Sequence, residues 1–113
     1  MPTRRKAYRK LVRDLIPRII MRDGGTPETR TLSAAGFKNA LLDKLVEEAA
    51  EVQSASGLAE LMTELADVQE VCLAIMTAHG INPKELERLR KRRARERGAF
   101  EKKIFLESVK MKK

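Results

Sequence analysis

Tryptophan is absent from this chain, and aromatic residues make up only 4% of it. A core built on large rings is thereby excluded, and Leu, Ala, Val and Ile must do the packing, as they do in helical bundles. A single cysteine, Cys72, rules out an intrachain disulfide and fits a reducing cytoplasm. It falls at helical spacing with Leu61, Leu65 and Val68, where a thiol serves as a small buried hydrophobe rather than as a nucleophile. No apolar run is long enough to span a membrane, and none near the N-terminus resembles a signal peptide. Internal repeats are also missing. At 113 residues the chain suits one domain, 1–113, and leaves no room for two.

Charge is what the chain has in abundance. Charged residues are 35% and hydrophobic ones 42%, so the core must be narrow or shared. The net charge is +8, which attracts polyanions such as nucleic acid, nucleotides or anionic lipid, or is spread over a solvated basic face.

The order of elements reads as all-α. Residues 1–10 are a basic arm with a frayed start. In LVRDLIPRIIMRD the apolar residues recur at helical spacing, but Pro17 is tolerated only in a first turn. The expectation is a turn through Arg13–Ile16 and a short helix from about Pro17. GGTPETRTLS is a loop, and Ser33 is positioned to cap a helix running to about Ser54, with Phe37, Leu41, Leu45, Ala49 and Val52 inward. The chain reverses at Gly57. A central helix then runs to His79, Gly80 ends it, and Asn82-Pro83 opens a charged last helix that Gly98 stops. His79 reads as a capping residue rather than a catalyst. The tail carries Phe100, Ile104, Phe105 and Leu106, which must dock somewhere.

The central helix has a main stripe of Leu61, Leu65, Val68, Cys72 and Ile75, widened by Val71, Ala74 and Ala78. One hairpin cannot cover so wide a surface. A second copy completing a four-helix bundle would, so the chain is expected to be a homodimer or homotetramer.

The carboxylates are the most specific feature. Glu47, Glu48 and Glu51 precede the reversal; Glu64 and Asp67 follow it. Residues three apart share a helix face, so Glu48 pairs with Glu51 and Glu64 with Asp67. Counted from Gly57, Glu51 lies about 9 Å and Glu64 about 10 Å below the turn, with Glu48 and Asp67 one turn further down. An antiparallel hairpin brings four acids into one patch. Such a patch is repulsive unless something compensates, and oxygen-only ligands suit a hard ion, Mg²⁺ or Mn²⁺. Glu48 lies inside the stripe of Leu41, Leu45 and Val52, where a charge needs a partner. From spacing alone, a bound ion and a solvated acidic face both remain open.

The pattern Glu47-Glu48-Ala49-Ala50-Glu51 followed by Glu64-Leu65-Ala66-Asp67 resembles that of the MazG-like all-α nucleoside triphosphate pyrophosphohydrolases. YRKLVRDLIP and RGAFEKKIFLE resemble the two ends of a phosphoribosyl-ATP pyrophosphohydrolase-like subgroup, so the resemblance covers nearly the whole chain. Departures fall at Leu15, where a charge is expected, at Arg18, where an acid is, and at Ala99, where glycine is; none touches the acids.

The resemblance implies Mg²⁺-dependent cleavage between the α and β phosphates of a nucleoside triphosphate, giving the monophosphate and pyrophosphate. It implies Glu48, Glu51, Glu64 and Asp67 as metal ligands and Glu47 and Glu48 as catalytic, with Glu47 holding a second ion or orienting water. Cations must meet the rest of the phosphate tail. The candidates are Lys10 and Arg13 from the first block, Arg97 and Lys102 from the last, and Lys44, one turn before Glu48. Asp14 reads as a salt-bridge anchor for Arg13 ahead of the alternative, a place in the metal shell, and Tyr8 as a residue able to stack a base. Two other readings compete: a nucleic-acid-binding module using the basic run KRRARER, and a non-catalytic helical interaction protein. Neither accounts for five acids standing together.

Overall fold

The computed structural model describes residues 4–112; the start of the basic arm expected over residues 1–10, where fraying is expected, lies outside the described residues. Among the described residues there are four α-helices and no strands: α1 Ile16–Arg22, α2 Ala34–Gln53, α3 Gly57–His79 and α4 Pro83–Arg97. None is long and apolar enough to cross a membrane. The chain forms two compact units, one ending at Gly80 and the other beginning at Ile81.

In the first unit, local chemistry sets each boundary. Pro17 sits in the first turn of α1, where its missing N–H costs nothing. The Ser33 hydroxyl accepts a hydrogen bond from the Gly36 N–H at 3.1 Å, capping α2. The reversal takes only the residues between Gln53 and Gly57, and Gly57 has φ +78°, which glycine adopts without strain. Gly80 ends α3 in the left-handed conformation (φ 66°, ψ 30°), its N–H directed back to the carbonyls of the last turn.

α2 and α3 pack as an antiparallel hairpin. Its seam follows Leu41, Leu45, Glu48 and Val52 on α2, and Leu61, Glu64, Val68 and Val71 on α3. Only Leu41 (3% exposed), Val71 (8%) and Glu48 (8%) are buried among the described residues. Glu48 takes the inner place expected for it inside the stripe of Leu41, Leu45 and Val52, whereas Ala49, also expected inward, is exposed. Glu64 is half-buried, and Leu65, on the stripe that one hairpin cannot cover, is exposed. Cys72 is half-buried beside the seam.

In the second unit, the Asn82 side chain caps α4 by accepting from the Lys84 N–H at 2.8 Å, and Gly98 ends it. α4 buries no residue. Glu87 pairs with the forked Arg90, which holds its charge and pulls its carboxyl below the usual range, while Arg92 reaches Glu96 at 3.9 Å. The apolar tail, expected to dock, finds no cover in its own unit: Phe100, Ile104, Phe105 and Leu106 are exposed.

Candidate metal centre

A glutamate on an apolar seam is where the hairpin departs from ordinary packing. α2 turns Glu48 inward because it lies seven residues after Leu41, two helical turns on. The short reversal then brings Glu51 and Glu64 to the same height. Glu48, Glu51 and Glu64 each offer a carboxylate oxygen, and these oxygens lie within 4.8 Å of one another. Eight acids stand against two lysines over α2 and α3, so the charge of the three is only partly offset within the hairpin, by Lys44 beside Glu48.

The electrostatic consequences are local. Glu64 is pushed above the ordinary glutamate value of 4.5, first by desolvation, then by its hydrogen bond with Glu51 and by the charges of Glu51, Asp67 and Glu48. A raised value favours the protonated folded form, so Glu64's stabilising contribution is complete below pH 4.5 and is lost as the pH climbs through the raised value. The expected result concerns the metal-free protein, compared by thermal melts with Glu64→Gln, which mimics the protonated state. The wild type should lose ground to the variant as the pH rises above 4.5. Parallel melting curves across that window would remove Glu64 as the titrating group.

The donor set suits a hard divalent cation. Glu48 Oε2 and Glu64 Oε2 are buried and have no hydrogen-bond partner, which is costly for a carboxylate that remains charged. Ligands on Mg²⁺ lie about 3.0 Å apart when adjacent and about 4.2 Å when opposite. Asp67 is not in this triad: its Oδ1 accepts from Arg13 Nη2 at 2.7 Å. It is near enough to the triad to raise Glu64.

A sequence model described as phosphoribosyl-ATP pyrophosphohydrolase matches residues 12–94, well over half of the chain and all five acids. The chain belongs to the phosphoribosyl-ATP pyrophosphohydrolase family. It is thus a pyrophosphohydrolase, a hydrolase acting on acid anhydrides. No curated protein and no solved structure matches it.

The remaining residues singled out in this pyrophosphohydrolase are placed as follows. Lys44, half-buried, extends its Nζ to 3.5 Å from Glu48 Oε1 and 3.6 Å from Glu47 Oε2, so it faces the acids directly. Glu47 is exposed at the rim. Lys10 is exposed, its Nζ 5.8 Å from the Tyr8 ring centroid. Arg97 is the last residue of α4 and Lys102 lies in the turn beyond it, both exposed. Asp14 has no ion pair among the described residues; the acid that holds Arg13 is Asp67. That pairing joins residues 54 positions apart, and no local pattern could announce it.

Proposed function

We propose that this pyrophosphohydrolase takes a nucleoside triphosphate with Mg²⁺, or Mn²⁺ in its place, and cleaves between the α and β phosphates to release the monophosphate and pyrophosphate. The observation that carries this reading is Glu48, more than nine-tenths buried, with an unpartnered oxygen beside Glu51 and Glu64. A bound Mg²⁺ supplies charge neutralisation, polarisation of the α-phosphoryl group and acidification of a water molecule.

The chain's own residues do the rest. Glu48, Glu51 and Glu64 hold the ion, and Asp67 joins them. Glu47 orients the attacking water or serves a second ion. Lys44 pairs with both Glu47 and Glu48 and offsets part of their negative charge. Lys10 and Arg13 supply positive charge for the phosphate tail, with Arg97 and Lys102 as candidates from the C-terminal block. Both units serve one domain of residues 1–113, acting in the cytoplasm. The hairpin pairs with that of a second copy, as a homodimer or homotetramer.

The test is pyrophosphate release from a panel of normal, deoxy and damaged nucleoside triphosphates with Mg²⁺. Phosphoribosyl-ATP, which the family is named for, belongs in the panel. Metal-dependent turnover of at least one member is expected. No turnover of any, together with salt-sensitive binding of DNA or RNA, would replace this reading with that of a nucleic-acid-binding module.

A further inference from the structure

Arg13 stands in an unusual place for a cation that is to meet phosphate. Its guanidinium is 2.7 Å from Asp67, on the same helix as Glu64 and one turn further on. The residue is held from its other side as well. The Arg13 carbonyl accepts from the Ile16 N–H at 3.0 Å, which ties it to the start of α1, and Leu11 and Val12 before it are half-buried. The ion pair therefore fastens the segment ahead of α1 to the hairpin beside the acids. It also supplies a positive charge to a face of α3 whose own charges are Glu60, Glu64, Asp67 and Glu70.

Resting on the reading of the acids as a metal centre, we propose that Arg13 is an internal counter-ion: it holds Asp67 in the metal-free protein and competes with the divalent cation for that carboxylate. A carboxylate oxygen satisfied by a guanidinium at 2.7 Å is not free to ligate with full charge, and a guanidinium beside the triad repels a dication. Both effects oppose loading. Coupling of this kind is reciprocal, so the ion that takes Asp67 loosens Arg13. The freed guanidinium has the planar fork that phosphate oxygens match. Arg13 then exchanges one anionic partner for another, and the site opens toward substrate only when it is loaded. Arg13 is in this sense a positioning residue acting through Asp67.

The experiment uses the full chain and Mn²⁺ alone, without nucleotide, titrated by calorimetry and by the paramagnetic signal of the free ion. Arg13→Gln is expected to bind Mn²⁺ about five-fold tighter than wild type, the scale set by a partly exposed ion pair. Its metal-free melting temperature should fall slightly, because the fastening is lost. Arg13→Lys keeps the charge without the fork and should fall between the two; it carries the same comparison if the Gln variant does not fold. A purely structural Arg13 would lower the melting temperature and leave Mn²⁺ affinity unchanged. Unchanged or weaker binding in the variants, with wild type binding normally, overturns the proposal. Failure of wild type to bind Mn²⁺ at all would instead overturn the metal reading of the acids.

Discussion

Glu48→Gln is expected to lower pyrophosphate release by about three decades while leaving the metal-free protein as stable as wild type, or more so. The two halves follow from one fact. Glu48 is 8% exposed, one of its oxygens has no partner, and two other carboxylates stand beside it. Glutamine keeps the shape and removes the charge, so it relieves repulsion that the folded chain otherwise bears. The same change removes the innermost of the proposed ligands. Stabilisation of a phosphoryl transition state by a bound ion amounts to several kcal/mol, and each ~1.4 kcal/mol is a factor of ten in rate. Mg²⁺ should raise the melting temperature of the wild type and not that of the variant. A structural Glu48 would behave oppositely, with the variant melting lower and turning over normally. Undiminished release from a well-folded Glu48→Gln would end the case for this site.

Much of the fold was legible because single residues decide it. Ser33, Pro17, Asn82-Pro83 and Gly80 mark helix boundaries through hydrogen bonds or φ values that their own chemistry dictates. The meeting of Glu51 with Glu64 was legible too, since a short reversal and a fixed rise per residue put them at equal height. The exact seam was legible in part. Glu48 is where the stripe of Leu41, Leu45 and Val52 puts it, but Ala49, expected inward, is exposed. That error is one residue in size, or about 100° of rotation. A hydrophobic average over a helix points between two faces when two faces are apolar, and here one packs the hairpin while the other is left open. Arg13 with Asp67 escaped for a different reason. A contact over 54 positions is set by tertiary placement and leaves no trace in spacing.

That open second face leads to the other large effect: Leu65→Lys should separate the proposed assembly into single chains. On α3 the residues displaced one position from the seam are Leu58, Met62, Leu65 and Cys72, with Gln69 between the last two, and on α2 they are Leu42, Val46 and Ala49, with Gln53 at the end. Leu58, Met62, Leu65, Leu42 and Val46 are all exposed. In antiparallel helices, stripes rotated from the seam by the same angle emerge on the same side of the hairpin, so these residues form one shared apolar surface. Leu41 and Val71 alone are too small a core to hold two helices of this length, and a second hairpin laid on the surface, as proposed, would supply what they lack. Leu65 lies near the middle of that surface, where a buried, unpaired ammonium costs about 3 kcal/mol and weakens association by about two decades. Light scattering on a sizing column should give the wild type at least twice the chain mass and the variant a single chain, with a much lower melting temperature. Pyrophosphate release should fall with the assembled fraction, because Glu48 and Glu64 are held in position only as firmly as the helices that carry them. A wild type that runs as a single chain at micromolar concentration, or a Leu65→Lys variant that stays assembled, would leave the four-helix bundle without support.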